Sequence, residues 1–328
     1  MPSEQFNQGH ALIVGAGGDL PMTVKDAEQI SAMLLDENHC AYLPAQVNLL
    51  TGAAANRQAI LRGLRRLADA GPDATAVVYF SGHGIETPGY YLIPFGYDLR
   101  TLESTTISGT EFSAALQAIP ARKLLVLLDC CHAGGQAEFQ SVAKAPMPAY
   151  TLAALARGSG RVVIALSRKD ELSWAGASSY FTAALLEALA GYGAAEMDGY
   201  ARVLDIALWV GRRVPELTSD RQHPMIKVSN LEDNFAVAWY AGGAKAVMPL
   251  AGASTARPAP LANAAPGADD AQRTTWRRML ANYRQNLLLI EERMSEFVEC
   301  SAIPLQLVPS RRQVEEKIVE LEQKLGAH

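Results

Sequence analysis

The chain has 328 residues, of which 49% are hydrophobic and 19% are charged, a composition typical of a globular protein with a large core. This length accommodates one large domain and a smaller module. The formal net charge of −5 lacks the basic excess of most nucleic-acid-binding proteins, so we expect no nucleic-acid partner.

Short apolar runs alternate along the chain with longer amphipathic runs. The short runs predict six strands, at residues 11–15, 47–50, 76–80, 124–128, 161–166 and 225–228. Helical patterns lie between them, at 24–36, 54–70, 109–118, 179–190 and 201–214. Continuous apolar strands interleaved with helices predict an α/β fold, with a mostly parallel six-stranded sheet sandwiched by helices.

The composition changes after residue 242. Residues 243–271 are dominated by Ala, Pro and Gly, which predicts a flexible linker between a main domain at 9–242 and the C-terminal segment. Residues 272–328 are charged and carry apolar residues at helical spacing, which predicts a small helical interaction module, a hairpin or coiled-coil-like pair. This module either packs on the main domain or recruits a sensor or effector protein.

The cysteines and the N-terminus indicate the cellular compartment in which we expect the protein. The four cysteines, Cys40, Cys130, Cys131 and Cys300, have no spacing typical of a disulfide framework. The first ten residues contain no basic stretch followed by an apolar run, and the apolar runs are far shorter than the ~20 residues of a membrane span. We therefore expect reduced thiols, a cytoplasmic location and no membrane partner.

Two short motifs carry the chemistry, and each follows a predicted strand. One reads VVYFSGHG and contains His83, and the other reads LLVLLDCCHAGG and contains Cys131. We expect both residues just past a strand end, where flanking glycines let a substrate backbone approach. If the two strands are neighbours, His83 can activate the thiol as a general base and later protonate the leaving amine.

These motifs resemble those of caspase-like cysteine peptidases, closest to metacaspases and bacterial caspase-like proteases, whose signatures are S-G-H-G and D-x-C-H-x-G. The segments LPMTVKDA, YYLIPFGYDLR, SRKDELSW and SYFTAALLEAL are also similar to that family. The separation of His83 and Cys131 is roughly the 50 residues found in caspases. The resemblance implies a cysteine endopeptidase that acts on protein substrates.

The resemblance also assigns roles within the two motifs. It makes Cys131 the nucleophile and places the oxyanion hole at the backbone N–H groups of Gly84 and Cys131. Cys130 then occupies the variable position, and we expect it in the core because neighbouring strand residues point apart. His132 directly follows the nucleophile, so a productive geometry between those two side chains is not expected.

Acidic residues at two family positions indicate the specificity. The metacaspase-like pocket positions are Asp26 and Asp129, with Ser81 nearby, and two carboxylates favour a cation over an anion. We therefore expect cleavage after Arg or Lys, with Arg preferred because it binds a carboxylate in a bidentate manner. The alternative is structural: Asp26 caps a helix and Asp129 orients backbone.

Several further features stay open at this stage. We expect no cofactor, and activation by calcium stays open because the acidic residues that bind activating calcium in some metacaspases have no assigned counterpart in this sequence. Lys144 is either a self-cleavage site or a solvated loop residue. A role in bacterial defence or regulated cell death rests on the resemblance alone. The alternative function is a catalytically silent caspase-like scaffold that acts through residues 272–328.

Overall fold

A computed structural model describes residues 5–18, 20–87, 89–131, 147–166 and 179–244, with the side chains of Cys131 and Ala149 outside the description. The chain divides into two units, Met1–Ala253 and Ser254–His328, and every described residue belongs to the first. The predicted linker, apart from its first two residues, and the predicted module at 272–328 therefore lie outside the described residues, as do His132 and Lys144.

Ten strands occur in the described residues. They are β1 (Gly9–Gly15), β2 (Val47–Thr51), β3 (Thr75–Glu86), β4 (Tyr90–Ile93), β5 (Ile107–Ser108), β6 (Lys123–Cys131), β7 (Arg161–Leu166), β8 (Tyr200–Arg202), β9 (Pro224–Ser229) and β10 (Ala236–Trp239). The same residues contain seven α-helices. They are α1 (Pro21–Leu35), α2 (Arg57–Ala68), α3 (Leu102–Thr105), α4 (Gly109–Gln117), α5 (Ala149–Leu155), α6 (Tyr180–Leu189) and α7 (Val203–Leu217).

The six predicted strands form the body of one sheet, in the order β2-β1-β3-β6-β7-β9. The neighbours from β2 to β7 are parallel, and β9 closes the edge antiparallel to β7. The predicted α/β class with a mostly parallel sheet is thus confirmed. The sheet has eight strands rather than six, since β4 pairs with β3 and β5 pairs with β4.

Helices cover both faces of this sheet, as the apolar strands predict. On one face, Ile30 of α1, Phe181 of α6 and Val210 of α7 pack against alternate residues of the central strands. On the other face, Leu64 of α2 and Phe112 of α4 pack against the remaining strand residues. Odd-numbered positions of β3 and β6 face the first layer, and even-numbered positions face the second.

The short antiparallel strands were not predicted. β4, β5, β8 and β10 have two to four residues each, too few for a period-2 pattern to emerge from the sequence. β8 and β10 form a separate two-stranded sheet. No helix within the described ranges is both long enough and apolar enough to span a membrane.

Candidate active site

Parallel pairing of β3 with β6 brings the two sequence motifs side by side. The register matches Ser81 with Asp129, and it matches His83 with Cys131. The strands are therefore neighbours, which is the condition that the sequence argument required. The backbones of the candidate base and the candidate nucleophile occupy paired positions on adjacent strands.

The expectation that both residues lie past a strand end is wrong. His83 lies inside β3, which continues to Glu86, and Cys131 is the last residue of β6. The extension has a structural cause: the end of β3 pairs with β6 on one side and with β4 on the other, and His83 is matched there with Ile93. These ladder hydrogen bonds keep the glycine-containing segment extended despite its low intrinsic strand propensity.

Cys130, which directly precedes the candidate nucleophile in β6, has a well-defined environment. Cys130 is buried in the core layer of α2 and α4, where burial raises the pKa of its thiol to about 12. At that pKa almost no thiolate forms near neutral pH, so Cys130 is unsuited to nucleophilic attack. The expectation that Cys130 belongs to the core is confirmed. The backbone of Cys131, the next residue, is paired with that of His83.

His83 shares a face of β3 with Ser81. The imidazole is almost fully buried, with 4% of the residue exposed. Ser81 is also buried.

The glycines beside His83 are required by packing. A Cβ at Gly84 would lie 2.7 Å from Cζ of Tyr90 and closer still to its hydroxyl oxygen. A Cβ at Gly82 would lie 2.9 Å from Cβ of Ala16. Close approach of the protein's own side chains therefore accounts for glycine at both positions, in addition to the predicted approach of a substrate backbone.

The two candidate pocket carboxylates come together around one residue that sequence reasoning missed. The backbone N–H of Ser179 donates to Oδ1 of Asp26 at 2.9 Å, and its hydroxyl lies 2.6 Å from Oδ2 of Asp129. Ser179 is also the N-cap of α6, since its Oγ accepts from the N–H of Thr182 at 3.0 Å. Ser179 is the first residue of the helix predicted at 179–190, but only the fold shows its carboxylate partners.

Burial and like charge make this pair unusual electrostatically. Asp26 is 1% exposed and Asp129 is fully buried. Burial, together with the charge of Asp129, raises the pKa of Asp26 to about 7, although hydrogen bonds from Ser179 act in the opposite direction. Burial raises the pKa of Tyr79 well above its ordinary value, and the same two carboxylates add to this effect. A buried negative pair of this kind favours a cation and resists an anion.

The alternative that these carboxylates have a structural role agrees with the structure only in part. Asp26 does not cap its own helix, because it lies inside α1, where Leu20 is the N-cap. Its hydrogen bond instead holds the backbone at the start of α6. Within the described ranges, no group of three or more His, Cys, Asp or Glu side chains is arranged to hold a metal ion.

Comparison with known protein families identifies the family of this chain. The family described as Caspase domain matches residues 8–236. No curated protein matches the chain. The matched segment contains β3, β6 and all six candidate site residues. Because the match spans well over half of the chain, the protein belongs to the caspase domain family of cysteine peptidases.

Proposed function

We propose that the protein is a cysteine endopeptidase that cleaves protein substrates after Arg or Lys, with Cys131 as nucleophile and His83 as general base. The observation that carries the proposal is the pairing of His83 with Cys131 on adjacent parallel strands. Activation of a thiol by imidazole requires the two groups to lie on the same side of a shared cleft. The burial of Cys130 on the other face supports the choice of Cys131.

The reaction follows from these positions. His83 takes the thiol proton, and the Cys131 sulfur attacks the scissile carbonyl carbon to form a tetrahedral intermediate. The backbone N–H groups of Gly84 and Cys131 stabilise its oxyanion. His83 then protonates the leaving amine, and water hydrolyses the acyl-enzyme with the imidazole again acting as base.

The specificity rests on charge. Asp26 and Asp129 lie on the face of the sheet that carries His83, and together they disfavour an acidic P1 side chain. The planar guanidinium of Arg can bind carboxylate oxygens in a bidentate manner, which favours Arg over Lys. This charge distinguishes the pocket from one that accepts aspartate.

Cysteine-to-alanine variants at adjacent positions test the chemistry. Cys131→Ala should abolish cleavage of a peptide with Arg at P1, whereas Cys130→Ala should retain it because that side chain packs into the opposite layer. His83→Ala should lower kcat by 10²-fold or more, about the contribution of a general base. Unchanged turnover by Cys131→Ala would refute the assignment.

The alternative function is a catalytically silent scaffold, and a peptide inhibitor that reacts with thiols can distinguish it from an active enzyme. A peptide inhibitor with an electrophilic group and Arg at P1 should modify Cys131 in the wild type and leave Cys130 unmodified. A scaffold with a misaligned site would react with neither. The resemblance further supports regulation by a sensor or effector protein through residues 272–328, with a role in defence or cell death, as part of this proposal.

A further inference from the structure

One residue, Ser179, is hydrogen-bonded to both of the buried carboxyl groups. Its N–H holds Asp26, which comes from α1, and its hydroxyl holds Asp129, which comes from β6. Because both donors belong to one residue, each carboxyl group is held within hydrogen-bonding distance of Ser179, and the two groups are therefore held close to each other. The cap bond to Thr182 fixes Ser179 itself.

Burial and the neighbouring charge of Asp129 favour the protonated form of Asp26. Tyr79 of β3 faces this pair, and its hydroxyl is hydrogen-bonded to Thr182 Oγ1 at 2.8 Å and remains neutral because its pKa is raised. His83 lies farther along the same face of β3. Arg168 and Lys169 precede Ser179 in the sequence, outside the described residues. Two neighbouring carboxylates out of water titrate as a pair, and one of them retains a proton to higher pH.

We propose that Asp26 and Asp129, positioned by Ser179, hold one shared proton in the free enzyme, and that a basic P1 side chain displaces this proton to solvent. On binding, the carboxylic O–H bond breaks, the proton leaves, and the cation faces two carboxylates instead of one. This inference rests on the proposed function and adds to it a regulation by pH: selectivity for a basic side chain increases as the pair loses its proton.

The direction of the effect follows from the protonation states. The raised pKa of Asp26, about 7, places the change near neutrality. Below that pH the pair carries one negative charge and discriminates weakly between a cationic and a neutral side chain. Above that pH the pair carries two negative charges, and kcat/KM for the cationic substrate rises relative to kcat/KM for the neutral one.

A pair of isosteric peptides measures this selectivity. One peptide carries Arg at P1 and the other carries citrulline, which has the same shape without the charge. The ratio of their kcat/KM values cancels the pH dependence of the chemical steps, which both peptides share. Between pH 6 and pH 8 we expect the ratio to rise roughly tenfold, as for one group titrating near pH 7. Asp26→Asn should make the ratio independent of pH, and a flat wild-type ratio would overturn the inference.

Proton release provides a measurement that does not depend on turnover. The Cys131→Ala variant is titrated with the Arg peptide by calorimetry at pH 6.5, in two buffers with different enthalpies of ionisation. Binding should release more than roughly half a proton, and the citrulline peptide should release none. Equal proton release by the two peptides would contradict the exchange.

Ser108 supplies a matched control for the role of Ser179. It is the N-cap of α4, and its Oγ accepts from the N–H of Glu111 at 3.1 Å, so Ser108→Ala loses a comparable cap without affecting the carboxylates. Ser179→Ala also removes a donor to Asp129, which should move the midpoint of the selectivity ratio to higher pH. Ser179→Thr should restore that midpoint. Identical midpoints for the two alanine variants would show that Ser179 acts only as a cap.

The outcomes separate this inference from the proposed function. Cleavage of Arg peptides with a ratio that does not change with pH would refute the proton exchange and leave the endopeptidase intact. Cleavage of other peptides, with none after Arg or Lys at any pH, would refute the specificity and the inference together. A rising ratio that Asp26→Asn abolishes supports both.

Discussion

Gly84→Ala tests whether glycine beside the candidate base is required by packing, by substrate, or by both. The added methyl group would meet the ring of Tyr90, whose Cζ lies 2.7 Å from the position of the new Cβ. Tyr90 is 3% exposed and part of the core, so its ring cannot move into solvent. The backbone N–H at this position is retained, and the substitution therefore does not delete the proposed oxyanion donor.

The size of the effect follows from the cost of overpacking. Inserting a methyl group into a close-packed core costs about 1–3 kcal/mol. With a urea dependence near 3 kcal/mol/M, the unfolding midpoint should fall by roughly 0.3–1 M. Tyr90→Phe removes the oxygen nearest to the new methyl group, and the double variant should recover part of the lost stability, with a coupling energy of about 0.5–3 kcal/mol.

Urea unfolding of the wild type, both single variants and the double variant gives this coupling directly. Strictly additive effects would refute the packing explanation. Cleavage of the Arg peptide by the same four proteins tests the second role. If substrate backbone also approaches Gly84, the activity of the double variant stays low although its stability recovers. If activity recovers together with stability, approach of the substrate backbone is not needed to explain the requirement for Gly84.

Three further predictions concern the rest of the domain. Tyr42→Phe should lower the free energy of unfolding by about 1–2 kcal/mol, measured in urea, because the hydroxyl donates to the carbonyl of Val237 at 2.6 Å in the core; an unchanged midpoint would contradict this. Arg161→Met should cost roughly 1.5–3 kcal/mol by thermal unfolding, since the buried guanidinium donates to two carbonyls near the end of α4, and an equal Tm would count against a structural role. Brief iodoacetamide treatment at pH 7.5 should modify Cys131 and spare Cys130, whose pKa is about 12, and mass spectrometry showing the reverse would refute the choice of nucleophile.

The sequence accounted for much of the fold because the central strands are continuous apolar runs. Burial on both faces leaves such runs no polar residues, so the six strands of the main sheet were identifiable, and β7 matches its predicted bounds, Arg161–Leu166. The ends of β3 and β6 were placed too early because glycine, histidine, aspartate and cysteine have low strand propensity. Pairing with β4 and with each other, a tertiary effect, extends both strands through the motifs.

The candidate site was likewise predictable in part from the sequence and in part only from the tertiary structure. The sequence by itself determined the residue types for the chemistry, His83 and Cys131 in two motifs, because reactive groups flanked by glycines after apolar strands are recognisable without a partner. Only the tertiary structure decided that they occupy paired positions on adjacent strands, and that Ser179 joins Asp26 to Asp129. Strand order and contacts between residues far apart in the chain depend on how the layers pack, and no local pattern encodes that packing.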